Sequence, residues 1–286
     1  MSFKPDSAPP FALAGFGVMT ARGRDAAAFL QAQTMNDVGR LETGHWHWNG
    51  WLTPKGRVVA LFALLRTGDD EFALVLPDHP ADALREALQR YVFRSRVALA
   101  ADGMWRVAGG SPVAGCTGAV AARADGGWAL DFGGDGGPRT LRLLPADCEV
   151  ATPNPATDAA WRAFDIAHGL PRLGPDQVAA WTPQMLSLER LGAFSLKKGC
   201  YPGQEIVART HYLGQARREL ARLRGHDLEE GAAVSDGERD AGKVVCVTAD
   251  GSEALAVLAA DAGERLETAG RPITRTPPRE GLRRVT

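Results

Sequence analysis

Residues 197–209, read as KKGCYPGQEIVAR, concentrate more reactive side chains than any other stretch of the chain. One thiol, Cys200, closely follows Lys197 and Lys198. A thiol acts as nucleophile or metal ligand only as the thiolate, and neighbouring cations favour that form. Gly199 and Gly203 bracket Cys200-Tyr201-Pro202, and Pro202-Gly203 is a turn dipeptide. Gln204, Glu205 and Arg209 then add an amide, a carboxylate and a guanidinium. These residue types suit a reactive cysteine in an electropositive loop. They also suit a small core cysteine beside an ordinary turn.

Other stretches carry chemistry at lower density. His45 and His47 share one face of a strand, but two histidines make no catalytic zinc site. The tryptophans between them and after them, Trp46, Trp48 and Trp51, either pack a hairpin or offer a platform for a flat heterocycle. Lys55 and Arg57 flank Gly56 after a Thr-Pro turn, as a solvated hairpin tip or as a grip for carboxylates. Between Lys197 and Arg224 stand seven Lys or Arg against two acids. Such a run is either a solvated face or a seat for an anion.

The elements that must position these groups read as α+β with a β-rich tail. Residues 24–33 predict a short helix. Asn49-Gly50 predicts the turn of a hairpin. Strands are expected at 58–65, 71–76 and 97–99, with a helix over 81–91. This strand–strand–helix–strand order fits half of a ferredoxin-like unit. Residues 128–132 and 140–144 pair around a glycine-rich turn, and helices follow over 158–168 and 183–191. Beyond 213, short strands at 219–224, 243–248, 254–259 and 272–275 predict a small β-barrel.

Bulk properties narrow the function classes. The 286 residues carry a formal net charge of −1, which gives no field for a general nucleic-acid binder. Four cysteines without a CxxC pair exclude a disulfide framework and fit a reducing compartment. No long apolar run predicts a membrane span, and residues 1–18 lack the pattern of a secretory leader. A cytoplasmic protein is expected.

The 197–209 string resembles the signature of the YgfZ/Iba57 family, close to K-G-C-Y-x-G-Q-E-x-x-x-R. Phe29-Leu30-Gln31-Ala32-Gln33-Thr34 with Asn36-Asp37-Val38 is similar to that family's early F-L-Q-x-Q-x-T-N-D-V segment. Leu52-Thr53-Pro54-Lys55-Gly56-Arg57 resembles its L-x-x-K-G-R hairpin, and Gly169-Leu170-Pro171 and Thr182-Pro183-Gln184-Met185-Leu186 have counterparts too. The family is related to the T-protein of the glycine cleavage system, a folate-dependent aminomethyltransferase.

The resemblance implies three domains around a central opening. Residues 1–212 would form a folate-binding region interrupted by a ferredoxin-like unit at roughly 50–150, and 213–286 would form the barrel. It implies a tetrahydrofolate or derivative held by Trp51, Lys55, Arg57, Gln184 and Lys197. It implies a reactive Cys200 supported by Lys198, Tyr201, Gln204, Glu205 and Arg209. Expected partners are Fe–S target proteins or assembly factors, with Cys200 a transient cluster ligand. Two departures bear on the chemistry. Ala60 and Leu61 stand where T-proteins carry a strand carboxylate, and Ala167 stands where a Glu holds the pterin ring. Asp165 or Glu189 are the available substitutes. Accessory folate binding in Fe–S metabolism is the leading reading. A one-carbon transferase or demethylase, a folate-free cysteine enzyme and a structural adaptor are its rivals.

Overall fold

A computed structural model describes residues 9–101, 103–213, 217–237 and 239–285. The leader reading of residues 1–8 lies outside them. The chain builds two five-stranded sheets and a closed barrel. The first sheet has the order β3-β4-β5-β2-β6, formed by Phe16–Arg22 (β2), Trp46–Leu52 (β3), Val58–Gly68 (β4), Glu71–Pro77 (β5) and Ala98–Ala100 (β6). The second has the order β1-β7-β10-β9-β8, from Phe11–Ala12 (β1), Trp105–Gly110 (β7), Ala122–Ala124 (β8), Gly127–Asp131 (β9) and Thr140–Pro145 (β10). All pairings within both sheets are antiparallel.

Strand β4 shows why the sequence gives this layering. Its residues are apolar without alternation, which fits a strand buried on both faces. Ala60, Phe62 and Leu64 enter one core together with Phe29 and Leu30 of α1 (Ala26–Gln33) and Leu84 and Leu88 of α2 (Ala81–Gln89). Leu61, Ala63 and Leu65 enter a second core with Trp46, Trp48, Phe132 and Trp161. Trp46 stacks on Phe132 at 5.0 Å, and Trp48 meets the same ring edge-on. The first sheet is thus the middle layer of the molecule.

Helix α3 (Pro155–Ala167) starts by a local rule: Pro155 occupies its first turn, and the Asn154 side chain accepts from the Ala156 amide at 2.9 Å. The helix is bound to the second sheet by buried charge. Asp165 accepts from Arg139 at 2.6 Å and from Arg172 at 2.9 Å, and Arg172 reaches on to Asp78. The Arg139 guanidinium also lies 4.1 Å from the Trp161 ring and 4.0 Å from that of Phe164.

The tail closes a barrel of order β11-β14-β13-β12-β15-β16. Its strands are Arg218–Arg224 (β11), Ala233–Asp236 (β12), Arg239–Val247 (β13), Glu253–Ala259 (β14), Leu266–Thr268 (β15) and Arg271–Thr276 (β16). The short strands β12 and β15, absent from the sequence expectation, complete the closure. Among the described residues, no helix is long and apolar enough to cross a membrane.

Two local expectations fail. Asn49-Gly50 is no turn; it lies inside β3, and the chain reverses over 53–56. Asn49 is fully buried, its amide donating to the Thr34 hydroxyl at 3.1 Å and its carbonyl accepting from the Asn36 amide at 2.9 Å. Gly50 serves close packing, since a Cβ there would meet Met35 at 2.7 Å and the Ala60 carbonyl at 2.8 Å. Residues 183–190 form consecutive turns in place of the expected helix. Buried Gln184 is held there through its side chain, which donates to the Val207 carbonyl at 2.7 Å.

Candidate functional site

The 197–203 loop leads into α4 (Gln204–Leu213) and is anchored at both ends by its own residues. Lys198 points inward. Its ammonium donates to the Asn36 carbonyl at 2.8 Å and to the Thr34 carbonyl, and lies 5.0 Å from the Tyr201 ring. Burial pulls its pKa down to about 7, with Asp37 opposing the shift. The lysine ties the loop to the turn after α1.

Gly203, with φ of +81°, is the second anchor. A Cβ there would meet the Thr53 carbonyl at 2.6 Å and the Gly56 Cα at 2.7 Å. A Cβ on Gly56, itself at φ +68°, would meet Ile206 at 2.8 Å. The tip carrying Lys55 therefore lies directly on the start of α4. Two glycines far apart in sequence are matched because each permits the other's approach.

Around this junction the expected site residues divide into those left free and those spent on the fold. Cys200 is exposed, as are Lys55, Lys197, Glu205 and Arg209. Among the described residues, Glu205 and Arg209 form no ion pair although they stand one helical turn apart. Arg57 is partly committed, donating to the Ala180 carbonyl at 2.7 Å. Gln204 donates to the Lys198 carbonyl at 3.4 Å. Trp51 is half-buried, edge-on to Tyr91 at 6.3 Å.

Two further groups are buried and have an unsatisfied atom. The Gln184 carbonyl oxygen and the Tyr201 hydroxyl find no hydrogen-bond partner among the described residues. Burial raises the Tyr201 pKa to about 12, so it stays a neutral phenol. Unpartnered buried polar atoms are costly and call for an explanation such as a ligand.

Lys197 lines a cleft of about 540 Å³ together with Asn36, Asp37, Arg40, His47, Glu189, His211 and Arg283. His47 is buried and neutral, its pKa lowered to about 3 by burial first and by Lys198 second. Its ring nitrogen lies 3.3 Å from the Asn49 amide. Glu189 is solvent-accessible, yet partial burial of its carboxyl raises its pKa, opposed in part by His211. The tail residue Arg283 had no signal in the sequence, because only barrel closure returns the tail to this cleft.

The other proposed substitute acid fails. Asp165 is 1% exposed and neutralised by two guanidiniums. Ala60, Leu61 and Ala167 are buried packing groups. The basic run over 197–224 does not form one face either. Lys198 is buried, and both Arg222 and Arg224 pair with Glu253 in the barrel, at 2.7 and 2.9 Å. Among the described residues, no group of three or more His, Cys, Asp or Glu could hold a metal ion.

No protein-family model matches the chain. The chain is 30% identical over 230 residues to the tRNA-modifying protein YgfZ of Vibrio vulnificus strain YJ016, covering 74% of this chain and 69% of that one. It is likewise 30% identical over 231 residues to the protein of that name from Enterobacter sp. strain 638, with 74% and 70% covered. An uncharacterized protein of Haemophilus influenzae is 27% identical over 209 residues, covering 73% and 70%. The aminomethyltransferase T of the glycine cleavage system from Bartonella henselae superposes with a TM-score of 0.75 at 16% identity, over 96% of this chain and 86% of that one. The fold is therefore that of a glycine cleavage T-protein, α+β with a closed C-terminal barrel. With the signature residues of 197–209 in the geometry above, the chain belongs to the YgfZ family.

Proposed function

We propose that this chain is a cytoplasmic tetrahydrofolate-binding accessory protein that supports assembly or repair of Fe–S enzymes, tRNA-modifying enzymes among them. The observation that carries the reading is the junction of the Lys55 hairpin with the Cys200 loop. It carries an exposed thiol next to Tyr201, whose buried hydroxyl has no hydrogen-bond partner among the described residues. The names of the relatives support the link to tRNA modification.

The residues present fit a folate. The cleft of about 540 Å³ that Lys197 lines lies in the usual range for small-molecule sites, while Lys55, Arg57, Trp51, Gln184 and Tyr201 lie outside its lining. Lys55, Lys197 and Arg57 suit the carboxylates of a glutamate tail. The Gln184 carbonyl and the Tyr201 hydroxyl suit ring amide groups, and Trp51 suits stacking. A reduced folate, when bound, supplies one-carbon or reducing capacity. The chain itself supplies little acid–base help for a transfer: Ala60, Leu61 and Ala167 are hydrocarbon, and Asp165 is locked in ion pairs. Glu189, with its raised pKa beside His211, keeps a transferase reading alive; Asp37, also in the cleft lining, accepts from the Gln31 amide.

Cys200 provides a thiolate toward a cluster, a sulfur species or a partner protein, with Lys197 and the start of α4 as its surroundings. One thiolate cannot hold a cluster alone, so any cluster contact is transient and shared with the target. Calorimetric titration with tetrahydrofolate under anaerobic conditions tests the ligand. Saturable one-to-one binding that weakens in Lys55→Ala is expected; absence of heat in folded protein removes the folate. Loss of Fe–S enzyme activity in cells carrying Cys200→Ala is expected, and unchanged activity favours the structural adaptor.

A further inference from the structure

The loop after α2, RYVFRSR over residues 90–96, took no part in the site above. It alternates cations with aromatic side chains and holds them outward. Phe93 is 85% exposed, more than any other large hydrophobic residue among those described. Tyr91 is also exposed, with one edge against Trp51. Arg90, Arg94 and Arg96 are exposed and form no ion pair among the described residues. Of the acids near the loop, Glu86 pairs with Arg85 at 3.3 Å, and Asp25, which accepts from the Arg96 amide, lies 3.6 Å from Arg24.

The backbone of the loop is fixed at both ends. The Tyr91 and Val92 amides donate to the Leu88 and Gln89 carbonyls at 2.9 and 3.1 Å. The Arg96 amide donates to the Asp25 carboxylate at 2.7 Å, and the Asp25 amide donates to the Arg96 carbonyl at 3.3 Å. Gly23 lets this return pass, since a Cβ there would collide with the Arg96 carbonyl. The loop is thus fixed in backbone while it displays an exposed phenylalanine among guanidiniums that have no ion-pair partner among the described residues.

We propose that residues 90–96 bind an unpaired RNA strand, with a base stacked on Phe93 and backbone phosphates on Arg90, Arg94 and Arg96. The chemistry is that of single-strand binding: a π-face accepts any base, and flanking cations track the phosphates. Arginine also stacks on bases and bridges phosphates bidentately. A ring flanked by arginines suits a single base better than a protein interface, which needs a continuous apolar core. The near-neutral chain gives no long-range field, so the strand is held by local contacts. The proposal is independent of folate binding. The loop nevertheless adjoins the candidate site, because Tyr91 meets Trp51, whose strand β3 leads into the Lys55 tip.

The test is fluorescence anisotropy of a labelled 12-nucleotide single-stranded RNA titrated with the full chain at several salt concentrations. Phe93→Ala is expected to weaken binding about 5- to 100-fold, and Phe93→Trp to preserve it. The triple variant R90A/R94A/R96A is expected to lower the slope of log affinity against log salt by about 2. Thermal melting matching the wild type keeps these surface variants interpretable. A duplex of the same length should be indifferent to Phe93→Ala. Wild-type affinity no greater than that of the triple variant overturns the proposal. So does a response to the arginines without one to Phe93, which means bare phosphate attraction. Absence of RNA binding together with cellular loss of function in Phe93→Ala assigns the loop to a protein partner instead.

Discussion

Two regions of this molecule are dense in charge and have opposite roles. In the network of Asp78, Arg139, Asp165 and Arg172, each charged group is buried or nearly so and meets an opposite charge. In the 197–209 loop, Lys197, Glu205 and Arg209 stand in solvent without ion-pair partners among the described residues, beside an exposed thiol. Charge density therefore does not mark a site; unspent charge does. The first region fastens α3 to two sheets, and the second is left free to meet something else.

Breaking the paired region should cost the most. Asp165→Asn leaves buried Arg139 without its counter-ion and Arg172 with Asp78 alone. A loss of about 3–5 kcal/mol in urea unfolding is expected. Cys200→Ala, in the unspent region, should stay within about 0.5 kcal/mol of the wild type in the same experiment.

The contrast extends to histidine. His47 has a folded pKa near 3 against 6.5 unfolded, so the unfolded chain binds more protons between those values. Stability is then full above pH 6.5 and falls as pH drops toward 3, by up to a few kcal/mol at about 1.4 kcal/mol per unit. His47→Gln keeps an amide partner for Asn49 and should flatten that slope in unfolding measured across pH 4–7. An unchanged slope would assign the acid sensitivity to other groups.

A smaller effect sharpens the junction between the two glycines. Gly203→Ala places a methyl against Thr53 and Gly56 at positive φ, for about 1–3 kcal/mol of stability. The calorimetric folate signal should weaken more than this stability loss explains, because the Lys55 tip is displaced.

The thiols provide the mildest test. Burial pushes the Cys116 and Cys246 pKa values up to about 11. Alkylation of native protein at pH 7.5, followed by peptide mapping, should modify Cys200 at least about tenfold faster than either. Equal labelling only after denaturation would remove the reactive-thiol reading.

The sequence by itself determined what depends on neighbours along the chain. Most of helix α3 was legible as the segment 158–168 that follows the Pro-Asn-Pro break, and the barrel from short strands between turn residues. The chemistry of 197–209 was legible because a thiol, two glycines and the surrounding charges are contiguous. Tertiary structure decided what depends on partners far away. Asn49-Gly50 has the composition of a turn, yet buried bonds to Thr34 and Asn36 make it the middle of a strand. Lys198 and Lys197 are adjacent and alike in sequence, yet one turns inward to the carbonyls of residues 34 and 36 and the other lines a cleft. Asp165 read as a spare acid until two distant arginines claimed it. Local pattern specifies which conformations a segment can adopt; the burial free energy of distant contacts chooses among them and decides which polar groups remain for function.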